Sequence, residues 1–215
     1  HSYGAPLKAN LLGRSILRFN SMTGGVHSEV GKFIAHKKLR PAQEEMVSDG
    51  INALDHQGFL LAAAPTGIGK TAASLAAALE IARSSVNHQH ILFLTGRQSQ
   101  HKIVIETVKS INSRLDEETS SVKVVDIIGR ESMCENVDRM TSKCSCEEGI
   151  VEGTRQSRRD DMKEYILRSP KHVDEIIKSS NKKKICPWAA ARSAVKECDI
   201  LVCDYNHVFV EGVRE

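Results

Sequence analysis

With 215 residues, 40% of them hydrophobic and 27% charged, the chain has enough apolar content for one good core or two small ones, and too much to be compositionally disordered. Lys and Arg number 30 against 27 Asp and Glu, a formal charge of +3 that permits a nucleic-acid partner without implying one. The longest apolar run, Phe59 to Pro65, is a strand's length and far short of the ~20 residues a bilayer requires, so no membrane partner is expected. Aromatics at 4% argue against a stacking-rich surface module, and six cysteines are too few for a secreted disulfide scaffold of this length. His1 to Leu12 lacks the basic start and apolar stretch of a signal peptide, and the absence of an initial Met suggests a piece of something longer.

Residues 1–38 form a basic segment: up to Arg40 there are seven basic side chains against a single acid, Glu29. Leu11–Leu12 and Ile16–Phe19 are short apolar patches, and Ser21 to Gly25 reads as a turn. From Leu39 the pattern sharpens. Pro41 suits a first helical turn, Glu44 and Glu45 follow where negative charge is favoured, and Met46, Val47, Ile51 and Leu54 make an apolar stripe. Phe59 to Ala64 reads as a buried strand, Thr71 to Ala82 as an Ala-rich helix, and His90 to Thr95 as a second strand. Ser99 to Ile111 is expected to be a helix with Ile103, Val104, Val108 and Ile111 inward, followed by a strand at Val122 to Ile128. Strands alternating with helices, each strand nearly all apolar, predict a parallel sheet covered by helices.

That rhythm stops at Gly129. Residues 130–186 are polar and charge-dense, with apolar helical patches only at Met162–Leu167 and Val173–Ile177, and such a stretch is expected to need something other than a hydrophobic core to fold. Pro187 then opens another helix, and Ile200 to Cys203 returns as a strand. The expected organisation is therefore an α/β domain in two pieces, 39–129 and 187–215, interrupted by an insert at 130–186.

Ala64-Pro65-Thr66-Gly67-Ile68-Gly69-Lys70-Thr71 follows a strand and opens a helix, the setting in which a phosphate-binding loop has meaning. Gly67 and Gly69 let the backbone turn so that its amides, with those of Thr66 and Ile68, face an anion. Lys70 would reach the β and γ phosphates of ATP, and the Thr71 hydroxyl would ligate Mg²⁺. Arg40 and Gln43, at a helix start some way upstream, are candidate nucleotide contacts, Gln43 toward adenine.

Cys134, Cys144, Cys146 and Cys186 have 9, 1 and 39 residues between successive members. Four thiolates suit Zn²⁺ or an iron–sulfur cluster, and the spacing leaves both open. Metal binding would supply folding energy to an insert short of apolar residues. Cys198 and Cys203 read as small buried apolar groups rather than ligands.

Arg40-Pro41-Ala42-Gln43, the phosphate loop, Leu94-Thr95-Gly96-Arg97, Gly129-Arg130-Glu131-Ser132-Met133-Cys134, Cys186-Pro187-Trp188 and Asp204-Tyr205-Asn206-His207-Val208-Phe209 occur in this order. Together they resemble the iron–sulfur DNA helicases of the XPD family, in helicase superfamily two. The resemblance implies a partial RecA-like P-loop NTPase domain interrupted by a mostly helical iron–sulfur insert. It implies a [4Fe–4S] cluster on Cys134, Cys144, Cys146 and Cys186, with ATP and Mg²⁺ at the loop. It also implies single-stranded DNA or a single/double-strand junction as partner, the insert acting as a wedge, and a second motor domain completing the machine. Arg130, Arg155, Arg158, Arg159 and Lys182–Lys184 are basic enough to track a DNA backbone. The chain departs from the family in separating Cys144 from Cys146 by one residue, in placing Gly96 where the family has Arg, and in ending at Glu215 without the acidic Mg²⁺-binding box. It is therefore expected to be inactive alone. A repair role fits the family, and the compartment would be the cytoplasm in a prokaryote or archaeon and the nucleus in a eukaryote. The rival readings are a non-enzymatic metal-stabilised DNA-binding module and a non-helicase P-loop NTPase with zinc in its insert.

Overall fold

Two compact units make up the computed structural model: residues 1–89 with 114–118, and residues 90–113 with 119–215. The structure describes residues 9–10, 31–138, 140–141 and 144–210, so the expected patches at Leu11–Leu12 and Ile16–Phe19 and the turn at Ser21 to Gly25 lie outside it.

In the first unit, helix α1 (Pro41–Asp55) starts with proline in its first turn and Glu44 near the positive helix end. Gln43 is buried and closes the start of the helix, its Oε1 accepting from the Arg40 amide at 3.0 Å. Helix α1 packs on α2 (Lys70–Ser84) through Leu39, Val47, Ala73, Ala76 and Ala77, and the alanines let the two backbones approach closely. Of the predicted stripe on α1, Val47 is buried, Met46 and Ile51 are partly covered, and Leu54 is exposed.

The strand expected at Phe59 to Ala64 is reduced to two residues, β2 (Leu61–Ala62), which pairs antiparallel with β1 (Ala9–Asn10). It is not a buried strand: Phe59 is 70% and Leu61 61% exposed. An apolar run specifies burial only when a sheet covers both its faces, and a single two-residue partner does not.

The second unit contains a parallel sheet of β3 (Ile91–Leu94), β4 (Val124–Asp126) and β5 (Ile200–Cys203) in the order β3-β5-β4. Its last strand in sequence lies in the centre, and Ile200, Val202 and Cys203 of β5 are essentially fully buried. Helix α3 (Gln98–Asn112) presents His101, Val104, Ile105, Val108 and Ile111 inward. Ile103, expected inward, is exposed, and Ile105 takes its place, a shift of roughly half a turn in which neighbour is covered.

The insert does have a core, contrary to the expectation from its composition. After the short α4 (Arg130–Met133) come α5 (Glu152–Arg168), α6 (Val173–Lys183) and α7 (Pro187–Ala194). Met162, Ile166, Val173, Ile176 and Ile185 are essentially fully buried and join one cluster with Val125 of β4, Cys203 of β5 and Ala190, Ala191 and Ala194 of α7. A few large side chains at helical spacing suffice because the sheet and α7 supply the other wall. A 3₁₀ turn (Val195–Glu197) leads into β5, and α8 (Asn206–Phe209) follows it.

A buried polar tie joins this core to the sheet. Asp126, fully buried at the end of β4, accepts from the Val173 amide at the start of α6 at 2.8 Å and meets His101 Nδ1 of α3 at 2.5 Å. Both carboxylate oxygens are thereby satisfied, as burial of a carboxylate demands.

Candidate metal centre and phosphate loop

The four cysteines of the insert converge. Cys134 ends α4, Cys144 and Cys146 lie on the following loop, and Cys186 caps α7. An isolated bridge between Val137 and Cys144 folds the loop back on itself. The Sγ atoms of Cys134, Cys144, Cys146 and Cys186 all lie within 4.8 Å of one another, with Cys134 2.8 Å from Cys146 and 3.3 Å from Cys144. Asn136 Nδ2 donates to Cys146 Sγ at 3.5 Å and the Cys146 amide faces Cys144 Sγ at 3.4 Å, N–H groups of the kind that stabilise thiolate. As free thiols, Cys134 is pushed up by burial and by its bonds to Cys146 and Cys144, and burial pushes Cys186 up to about 11. For Cys144 burial acts in the same direction, but the Cys146 amide and the neighbouring sulfurs outweigh it and lower the thiol. Four convergent soft donors fit a thiolate-bound metal centre, whose binding would expel these protons.

Glu147, next to Cys146 and 8% exposed, was not foreseen. Its Oε1 accepts from the Cys186 amide at 3.1 Å and from Arg159 Nε at 3.0 Å, while Oε2 takes the second arm of the Arg159 fork and lies 3.7 Å from Arg155 Nε. Burial would push this carboxyl up, but the Arg159 fork, the Cys186 amide and the Arg155 charge hold it below the usual range. Arg155 and Arg159, read from sequence as DNA-tracking cations, are thus turned toward Glu147, and Arg155 also binds the Ile150 carbonyl and Glu152. Nothing in a run of charged residues tells which ones pair, and the one local signal for Glu147 is its place beside Cys146.

Trp188, following the Cys186-Pro187 pair, carries a guanidinium against its ring from each of two arginines, Arg130 at 5.3 Å and Arg192 at 5.1 Å. Gly96 has a steric reason to be glycine: a Cβ there would come within 2.7 Å of the Tyr205 ring. Cys198 and Cys203 are buried away from the four-cysteine cluster, as read.

In the first unit the candidate phosphate loop is a formed turn whose carbonyls are taken by its own lysine and by Arg40. Gly67 and Gly69 take φ of +84° and +88°, conformations that favour glycine. Lys70 Nζ donates to the carbonyls of Ala64 at 2.9 Å and Pro65 at 3.0 Å, and Arg40 Nη1 reaches the Gly67 carbonyl at 2.7 Å. Gln43 packs directly against Gly69. Arg40, Gln43, Gly67, Gly69 and Lys70 are therefore brought together, with Thr66 and Ile68 in the same turn and Thr71 opening α2.

A family model described as DEAD_2 matches residues 93–215, more than half of the chain and all of the four-cysteine centre. The chain belongs to the DEAD_2 family. The matched segment begins after the candidate phosphate loop. This DEAD_2 chain is 23% identical over 185 residues to the ATP-dependent DNA helicase XPD of Sulfolobus acidocaldarius, an alignment covering 83% of the chain and 30% of that relative. A solved structure described as XPD helicase superposes with a TM-score of 0.57 at 21% identity, covering 83% of this chain and 30% of that one. A truncated XPD structure matches with a TM-score of 0.46 at 16% identity over 81% of this chain and 47% of that one. The DEAD_2 chain thus shares the XPD fold and spans about 30% of the length of its curated relative. Among its described residues no helix is long and apolar enough to cross a membrane.

Proposed function

We propose that the chain is the nucleotide-binding and metal-bearing part of an ATP-dependent DNA helicase of the iron–sulfur type. The observation that carries this is the gathering of four thiol sulfurs within 4.8 Å, with 39 residues of chain between Cys146 and Cys186, in a chain of the DEAD_2 family. Cys134, Cys144, Cys146 and Cys186 would hold a [4Fe–4S] cluster that acts as a structural staple for the insert. In the loop, the Gly67 and Gly69 turn would present amides to phosphate, Lys70 would exchange its carbonyl partners for the β and γ phosphates, and Thr71 would hold Mg²⁺. Arg40 and Gln43 brace the loop from α1. Hydrolysis and unwinding belong to the full-length protein, whose second motor domain would bind the same nucleotide, and the insert would part the strands at a single/double-strand junction.

A second reading is zinc at the same cysteines. All four sulfurs lie within 4.8 Å of one another, and a tetrahedral ion with Zn–S bonds of about 2.3 Å sets its sulfurs about 3.8 Å apart, so a small contraction of this spread suits one ion. Iron, sulfide and zinc content of anaerobically purified chain separates the two. About four irons per chain with absorbance near 400 nm supports the cluster; a colourless chain with one zinc overturns it. For the DNA claim, single-stranded oligonucleotide binding that weakens with salt is expected, and salt-independent weak binding to single strand and duplex alike would remove it.

A further inference from the structure

We propose that Glu147, held by the Arg159 fork, is the positioning residue that sets the span between the Cys144–Cys146 loop and Cys186. This rests on the metal centre proposed above and adds to it a device outside the four ligands.

The cysteines come from distant parts of the chain. Cys144 and Cys146 share a loop with little secondary structure, whereas Cys186 stands at the cap of α7, after all of α5 and α6. No ligand-to-ligand covalent path shorter than 39 residues connects the two sides, so something must fix their separation before metal binds. Glu147 is one residue from Cys146, and its Oε1 accepts from the amide of Cys186 itself at 3.1 Å. The carboxylate is in turn clamped by both arms of Arg159 and approached by Arg155, two residues on successive turns of α5. The ring of contacts therefore runs from the loop, through α5, to the α7 cap, and closes on the Cys186 backbone. A shorter side chain at 147 would leave the buried amide without its acceptor, and a neutral one would leave the guanidinium without its counter-charge. Partners of this kind that orient metal ligands typically change affinity by about 10–100-fold when removed.

The test uses the 215-residue chain reconstituted anaerobically with Fe²⁺ and sulfide, and in parallel with Zn²⁺. Metal release to an excess of chelator is followed in wild type, Glu147→Ala, Glu147→Gln, Arg159→Met and Arg159→Lys. Glu148→Gln, a substitution of the exposed neighbour, is the control. Release about 10-fold or more faster is expected for Glu147→Ala and Arg159→Met, less for Glu147→Gln and Arg159→Lys, with the control within twofold of wild type. Amide exchange at Cys186 in the metal-free chain is the second readout, expected to speed up in Glu147→Ala while the β4 and β5 amides stay protected. This readout also holds if Glu147→Ala loads metal poorly. Release at the wild-type rate in all four variants, unchanged Cys186 exchange, or equal acceleration in Glu148→Gln overturns the positioning role and leaves the metal centre standing. Wild-type chain that takes up neither metal overturns the metal centre and the positioning role together.

Discussion

The Asp126 carboxylate accepts a hydrogen bond from the amide of Val173 at 2.8 Å, joining the end of β4 to the first residue of α6 across 47 residues of chain. The other oxygen is taken by His101 of α3 at 2.5 Å, so one buried acid anchors a sheet strand, a helix on the sheet and a helix of the insert. Replacing it should therefore loosen the insert from the sheet rather than merely weaken a surface contact. Asp126→Ala is expected to cost about 3 kcal/mol, since it strands a buried amide and an imidazole. Urea unfolding followed by far-UV circular dichroism reads this directly, and a change under about 0.5 kcal/mol would mean the tie contributes nothing.

Ile166 of α5 is fully buried in the cluster shared by the insert and the sheet. Ile166→Ala should destabilise the second unit by about 2–5 kcal/mol, and by a similar amount in metal-free chain. In the same experiment, chelation should leave α5 and α6 largely helical and expose mainly the loop between Cys134 and Val151 to hydrogen exchange. If stripping the metal instead unfolds both helices, burial is not what holds them.

The two loop glycines differ in what surrounds them. A Cβ on Gly67 meets nothing within 4 Å, whereas one on Gly69 runs into the Gln43 amide. Both substitutions carry the roughly 1–2 kcal/mol penalty of a left-handed backbone, but only Gly69→Ala must also displace a buried side chain that braces the loop. Nucleotide binding, measured by fluorescence of a labelled ATP analogue, should fall further for Gly69→Ala than for Gly67→Ala. The reverse order would show that Gln43 is not a brace.

Burial, aided by neighbouring Asp charges, pushes the Cys198 thiol up to about 12 and the Cys203 thiol up to about 11, against 9.0 for an exposed one. Between those values the native chain keeps protons that the unfolded chain releases. The contribution of these two thiols to stability is therefore fully present below pH 9.0 and is lost as pH rises through about 11 to about 12. The doubly substituted Cys198→Ala, Cys203→Ala chain should lose less stability than wild type between about pH 8 and pH 10.5, measured as the change in urea midpoint. Parallel declines in the two proteins would contradict this.

Much of the secondary structure was readable in chain order. Pro41, the Ala-rich run after Lys70 and the apolar patches at Met162–Leu167 and Val173–Ile177 all lie in helices, because local propensity and periodicity act over a few residues. Phe59 to Ala64 reads as a buried strand because its apolar character is local, whereas its exposure is set by partners distant in sequence, which among the described residues amount to the two of β1. The average composition of the insert predicts no core, yet five well-placed side chains join the core of the sheet.

By itself the sequence determined the helices at Pro41, Lys70, Gln98 and Pro187, the glycine turn before Lys70 and the identity of four soft donors, all properties of residue type and near spacing. Which cations pair, which strand sits in the middle of the sheet, and how Glu147 meets the Cys186 amide were decided only in three dimensions. Those contacts join groups tens of residues apart, and their geometry depends on how buried side chains pack between them, for which no local pattern in the chain is a record.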